Sequence, residues 1–507
     1  MRPIYQIYVD ENLIDIDPKT TVGITLQAAD FLSGDLTSRK ASFTNQIKAP
    51  ITKTNISAFG FANNPKSGST FPFIKKPVKI LANGIQILEG IVIIKTVDQY
   101  FNLQIYSNPK DLTFRLANLY LSDIDFDDSP ITWDAAFIDS KRASTSGWCA
   151  PVVDYGQIDR TVAGDLDIGT YYLPSIAYKD IVTNILTNAG YAVSGSFYSS
   201  NADFNNMVMT YGRETFASTT LKINEALSTT ILQSDLMKDF FIKFGLLPRI
   251  INNNIEFVQI ETILNDVGNS VDWTSKRVRN KKDIVSYTWP GFAIRNNFTY
   301  PDITNLPDGY SQSAYNIHDG YLSVDNENLD PSKDIYSSLF NAPTFIGTAI
   351  PERIEGTGAN FVKGVTSQAW SALPSSYSFD TTPDPILAVL KTKEASERNV
   401  KYNGVSRSDY LVARFNAGSL GTPINCLAWK DNAITPNTGL LERYYPSLQR
   451  LLTDGTIATT HEYNLTDMDI NSVDLLTPVF DDGNYYLINK INNYVSGRTT
   501  RVELLKI

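Results

Sequence analysis

The 507 residues carry 54 acids against 44 Lys and Arg, giving a net charge of −10, with 42% hydrophobic and 19% charged residues. That is enough chain for roughly three or four folded domains with real cores, and the acidic balance argues against a sequence-reading nucleic-acid binder, which needs a basic footprint. No run approaches the ~20 apolar residues of a spanning helix, and the start MRPIYQIYV lacks a basic segment followed by an apolar core, so neither membrane insertion nor a secretory signal is expected.

The 27 Tyr and 25 Phe fit extensive interfaces or simply a β-rich composition. Cys149 and Cys426 are expected as buried thiols rather than a bridge.

Residues 1–112 read as an N-terminal β domain. Ile4 to Val9, a turn at Asp10-Glu11-Asn12 and Leu13 to Ile16 come first. Val22, Ile24 and Leu26 then alternate with Gly23, Thr25 and Gln27, the period of a strand, until Ser33-Gly34-Asp35 breaks it. Ser42, Phe43, Thr44, Pro50, Thr52, Asn55 and Phe59 follow without periodicity. They are expected to form an arm or loop that contacts a neighbour. The next stretch is the clearest β signal in the chain. Val78, Ile80 and Ala82 alternate with Lys79 and Leu81, and Asn83-Gly84 occupies the place of a type I′ turn. Ile85 to Leu88, an interruption at Gly90, Ile91 to Thr96, a turn at Val97-Asp98-Gln99, and Tyr100 to Tyr106 complete a meander of about four strands.

Residues 113–170 read as a connector. Asp123, Asp125, Asp127 and Asp128 suggest a calcium loop, but an EF-hand frame needs Gly where Asp128 stands and Glu where Asp134 stands. Solvated turns fit better. Residues 171–285 read as an α+β helix–hairpin domain. Tyr178, Ile181, Val182, Ile185, Leu186 and Ala189 follow helical spacing, with Ser175 as N-cap and Gly190 past the end. A second helix carries Leu236, Met237, Phe240, Phe241 and Phe244 between a Ser234 cap and Gly245. It feeds a hairpin of Leu246 to Ile251 and Ile255 to Ile260 around three asparagines. The Phe and Met stripe is core packing.

Residues 286–430 read as a loop-rich β domain, in which Gly356-Thr357-Gly358 lacks the third glycine of a nucleotide loop. Residues 431–507 form a C-terminal helix and β meander. Leu441, Tyr444, Tyr445, Leu448, Leu451 and Leu452 share one helical face, and Pro446 must start the regular helix or kink it. Strands follow at Thr456 to Leu465, Pro478 to Phe480, Tyr485 to Val495 and Thr499 to Ile507. The last is expected to be pinned in a sheet.

Catalytic chemistry is not legible. The two histidines, His318 and His461, lie in no metal-binding spacing, and neither a G-x-S-x-G elbow nor a P-loop exists. With 54 acids, any glycosidase-like carboxylate pair is uninformative. No catalytic, cofactor-binding or metal-ligating residue is therefore assigned, and no enzyme and no cofactor are expected.

Two ends of the chain resemble one family. Ser42-Phe43-Thr44, Ile47, Pro50-Ile51-Thr52, Asn55, Phe59, Pro77, Asn83-Gly84 and Gly90 are similar to the N-terminal region of tail proteins of tailed phages infecting Bacteroidetes. Tyr444-Tyr445, Leu451-Leu452, Asp454-Gly455, Leu465, Asp467 to Ile470, Pro478, Asp482-Gly483, Tyr485-Tyr486, Lys490-Ile491, Tyr494 and Val502 to Ile507 follow its C-terminal pattern. The helix–hairpin and Asp272 to Lys276 match between them, about half the chain in all.

The resemblance implies a virion structural protein, a tail-hub or baseplate subunit. The implied fold is mainly β with α+β parts and multidomain: β-barrel-like tube domains plus a smaller helix–hairpin domain. It implies a homo-oligomeric ring (trimer or hexamer), other phage tail proteins as partners, and a channel through which DNA passes without specific binding. The terminal β regions are expected to pack together around that channel. A receptor- or glycan-binding tail protein is the alternative, favoured by the aromatic, loop-rich middle.

Overall fold

The computed structural model describes residues 3–17, 19–27, 42–107, 112, 115–126, 129–152, 164–167, 175–210, 219–251, 253–287, 291–301, 319–340, 361–362, 369–370, 386–393, 399–402, 404–414, 427–430, 439–455 and 457–507. The chain is mainly β with α+β parts and several sheets, as expected.

The largest sheet has 14 strands. Eight come from the N-terminal region: β1 Tyr5–Val9, β2 Asn12–Leu13, β3 Ile24–Leu26, β4 Phe43–Thr44, β5 Ile47–Pro50, β6 Lys76–Ala82, β7 Ile85–Val97 and β8 Tyr100–Ser107. Two are mid-chain, β9 Val271–Asp272 and β10 Ile284–Ser286. Four are C-terminal: β11 Ala458–Tyr463, β12 Val479–Asp481, β13 Asn484–Tyr494 and β14 Thr500–Lys506. The hydrogen-bonded path runs β10-β11-β14-β13-β3-β4-β8-β7-β6-β1-β2, with β5 on β8, and β12 between β13 and β9. It is open at both ends, so the described strands close no barrel.

The hairpin turns form where the sequence places left-handed residues. Asn83 and Gly84 sit at φ 50° and 82°, Asp482 and Gly483 at 50° and 85°, and Asp10 and Glu11 at 50° and 66°. All three pairs fit the primed turns whose twist matches a β ladder. Gly90 does not interrupt its strand. β7 runs unbroken for 13 residues, and a Cβ on Gly90 would lie 1.8 Å from the Tyr106 carbonyl oxygen. The glycine is there for close approach of the neighbouring strand.

The segment from Ser42 to Phe59 is core, not an arm. Phe43 pairs with both Thr25 and Tyr106, which makes β4 the link between β3 and β8. Thr44 Oγ1 accepts from the Ile105 N–H at 3.1 Å. Thr52 caps helix α1, Lys53–Ala58. Asn55 is fully buried, donating to the carbonyls of Asp15 and Pro50 and accepting from the Asp15 N–H, each at 2.8 Å. Phe59 packs on Phe71 and Phe101 with ring centroids 5.3 and 4.6 Å away. A segment whose polar side chains serve as caps and bridges shows no hydrophobic period, which is why it reads as a loop.

The second core surrounds helix α2, Tyr178–Asn188, and helix α3, Gln233–Lys243. Phe197, Phe204, Phe240, Phe244 and Phe257 form a cluster of offset and edge-on rings there. Such pairs add about 0.5–1.5 kcal/mol each beyond their buried area. Both helices start elsewhere than the cap pattern predicts. Ser175 lies in a strand, Ser175–Ala177, that pairs with Trp148–Cys149 and Met207–Thr210, so α2 begins three residues later without a side-chain cap. Ser234 is inside α3, whose N-cap is Leu232. The predicted ends hold, with Gly190 and Gly245 at φ 83° and 56°. The hairpin Leu246–Ile251 and Asn254–Gln259 forms as expected and gains a third strand, Ala192–Ser194. Pro446 starts a helix rather than kinking one: α4, Leu440–Tyr444, stops at Tyr445, and α5 runs Pro446–Thr453. The closing strand is pinned between β11 and β13.

Candidate functional site

The feature that organises the molecule is the seam where the two ends of the chain meet. β3 pairs with β13 through Ile24–Tyr494 and Leu26–Ile491 and with β4 through Ile24–Thr44. The sheet also curls back on itself. Helix α6, Asp467–Ser472, packs on β7. Its first residue, Asp467, accepts hydrogen bonds from Tyr494 Oη (2.7 Å), Ser496 Oγ (2.9 Å) and Asn83 Nδ2 (2.8 Å). Asn83 belongs to the β6–β7 turn, far from β13 along the strand path. Side chains therefore join strands that the backbone ladder leaves apart. The Tyr494 phenol is pushed far above its usual range by burial and by its bond to Asp467. Nothing local in the sequence marks this junction, because its parts lie in a turn, a helix start and a strand end that are apart in sequence.

Asp272 to Lys276 clamps the C-terminal strands from outside. β9 pairs in parallel with β12, Trp273 is buried edge-on against Tyr463 at 5.3 Å, and Lys276 bonds Asp469 at 2.6 Å. Beside it, Asp481 is fully buried and holds three partners: Tyr463 Oη donates at 2.7 Å, His461 Nδ1 lies at 3.3 Å and Arg277 Nη1 at 3.2 Å. Arg277 also bonds Asp283 at 2.6 Å. Burial, then the Arg277 charge, push the His461 imidazole below its ordinary 6.5. Its hydrogen-bond partners are Tyr463, Asp481 and Arg277, with no serine or cysteine among them. The group is a buried structural network, not a hydrolytic triad.

A second buried ion pair lies in the other core. Lys243 Nζ sits 2.6 Å from both carboxylate oxygens of Asp239 and 2.5 Å from Ser338 Oγ. The rings of Tyr300, Phe340 and Trp429 surround the ammonium at 5.6–5.7 Å. Asp239 also accepts from Tyr336 Oη and the Leu339 N–H. Burial lowers the Lys243 pKa while Asp239 opposes the shift. Every polar atom has a partner, so the pair pins residues 336–340 onto α3. The sequence shows Asp239 and Lys243 at i, i+4 spacing, but not the ring of aromatics from distant segments.

The remaining sequence candidates serve local structure. The Asp123 carboxylate accepts from the Tyr120 N–H at 2.7 Å, and Asp134 caps the helix Ala135–Lys141 at 2.8 Å. Burial raises the Cys149 thiol to about 12, which keeps it protonated. Asp127, Asp128, His318, Gly356, Thr357, Gly358 and Cys426 lie outside the described residues. Among the described residues no group of three His, Cys, Asp or Glu could hold a metal, and no helix is long and apolar enough to cross a membrane.

No family model matches the chain, and no curated protein does. Solved structures similar to it include the 43 kDa tail protein of prophage MuSo2 from Shewanella oneidensis, at 9% identity and TM-score 0.37 over 100% of this chain and 98% of that one. Another is a tail protein from Neisseria meningitidis MC58, at 7% identity and TM-score 0.34 over 100% and 96%. A third is the prophage tail protein gp18 from Listeria monocytogenes EGD-e, at 8% identity and TM-score 0.37 over 99% and 94%. A likeness this distant carries no conclusion about function.

Proposed function

We propose that the chain is a structural protein of a phage tail: a hub or baseplate subunit that forms a ring, continues the tail channel and anchors other tail components. The observation that carries this is the seam. The two segments with the family's residue pattern, about 1–112 and 431–507, join in one sheet through β3 and β13. Residues of that pattern bond at the join, where Asn83 reaches Asp467 and Tyr494 pairs with Ile24, while Phe43, Thr44, Asn55 and Phe59 hold its N-terminal side together.

A large, mainly antiparallel sheet with open ends suits a ring subunit, because a neighbour's strand can continue it. The connector (113–170), helix–hairpin (171–285) and loop-rich (286–430) segments then project from the ring. DNA passes the lumen without specific contacts, and the protein resides in the virion tail after synthesis in the host cytoplasm.

Reconstruction of the particle tests this. Density for the chain as a ring around a continuous channel supports it. Density only in peripheral fibres with closed axes overturns it and favours the receptor-binding alternative.

A further inference from the structure

We infer that residues 51–75, the excursion between β5 and β6, form a knob that docks into an acidic cleft of a second copy of this chain. Two phenylalanine pairs build the knob. Phe59 and Phe71 are buried and packed together, while Phe61 and Phe73, two residues further on in each case, are 58% and 87% exposed. Phe61 is held at φ 63°, a left-handed conformation that costs a bulky residue energy. Ile74 beside Phe73 is also exposed. The anchoring pair fixes the backbone so that the other pair faces solvent.

The charge around the knob is the reverse of the chain's. Residues 42–88 contain six lysines and no Asp or Glu, so the remaining residues carry −16, the whole-chain −10 less this +6. Lys76 and Lys79 are matched by Asp10 and Glu11, whereas Lys53 and Lys66 are exposed on the knob itself.

The complementary surface lies beside β10. A cleft of about 230 Å³ is lined by Tyr287, Val324, Leu329 and Leu452, with Asp325 at its wall. Glu327 and Asp330 are exposed on the same turn. An apolar slot with a carboxylate rim matches an aromatic knob with a lysine rim. β10 ends one side of the strand path, and β5 and β6 lie towards the other. The contact is therefore heterologous, the type that closes rings. It rests on the ring reading above and adds the surfaces involved.

The full-length chain tests it by sedimentation velocity and light scattering, with far-UV circular dichroism as the control for folding. The knob variant is Phe61→Ala/Phe73→Ala and the cleft variant is Glu327→Lys/Asp330→Lys, all at exposed side chains. Wild type is expected to assemble, and each variant alone to remain monomeric. A one-to-one mixture should stop at a dimer, because one intact knob meets one intact cleft.

Assembly of both variants like wild type overturns the knob and cleft while leaving the ring reading standing. A wild type that stays monomeric at the highest concentration reached overturns both. A monomer that instead sediments with phosphatidylglycerol vesicles through Phe61 and Phe73 assigns the knob to a lipid surface and overturns the docking.

Discussion

Asn83 and Asp467 are 384 positions apart in sequence and share a hydrogen bond of 2.8 Å. The bond joins the turn of the N-terminal hairpin to the start of a C-terminal helix, and Tyr494 and Ser496 complete the carboxylate's partners. Hydrogen bonds to a charged group contribute about 1.5–3 kcal/mol. Asp467→Asn keeps the volume but offers an amide donor where donors already point, and it should cost about 2–3 kcal/mol. Asn83→Gly keeps the turn and should cost about 1 kcal/mol. Urea denaturation checks both. Wild-type midpoints in the two variants would mean the junction holds nothing.

Phe59 and Phe61 give opposite predictions from neighbouring positions. Phe59 is fully buried against Phe71 and Phe101, so Phe59→Ala should cost about 3–5 kcal/mol. Phe61→Ala should stay within about 0.5 kcal/mol, as exposed substitutions do. Deleting Ser42 to Phe59 should unfold the monomer, since it removes β4, β5 and α1 together. A folded deletion product by circular dichroism and thermal melting would refute the core assignment.

The buried pair Asp239–Lys243 predicts strong non-additivity. Asp239→Asn or Lys243→Met alone strands its partner in an apolar cage and should cost about 3–5 kcal/mol. Asp239→Asn/Lys243→Met together should cost less than the two single changes summed, a coupling that a double-mutant cycle reads directly. Additive losses would show that the two side chains act independently.

His461 predicts a pH dependence with a definite sign. Its folded pKa lies below the ordinary 6.5 because the ring is buried and Arg277 faces it; Asp283 and Asp481 oppose the shift without reversing it. The unfolded chain therefore binds the proton first as pH falls, so this contribution is intact above pH 6.5 and is lost as pH drops through the folded pKa. His461→Gln should flatten that part of the stability profile while leaving the carboxylate-driven loss at lower pH. An unchanged slope between pH 7 and 5 in the variant, about the range a histidine spans, would rule out His461 as its source.

Legibility in the sequence followed the range of the interaction. The Asp10-Glu11 and Asn83-Gly84 turns, the faces of α2 and α3 and the hairpin after α3 depend on near neighbours and formed as expected, and Pro446 took the helix start of the two roles open to it. Ser175 and Ser234 failed as caps because strand pairing claimed one, and the helix began one residue before the other. Gly90 read as a break, since the strand that crowds it is out of local view. No residue pattern announced the aromatic cage of Lys243 or the Asp481 network, because each collects side chains from distant segments.

By itself the sequence determined the β-rich class, the turns, the helical faces and the acidic balance, all properties of local order and composition. Only the tertiary structure decided what Ser42 to Phe59 does. Its polar residues satisfy backbone groups far away in the chain, and Phe59 fills a core with Phe71 and Phe101 that forms only once the strands around it have paired. A buried hydrogen bond is worth making only where its partner is delivered by the fold, so no local period could reveal it.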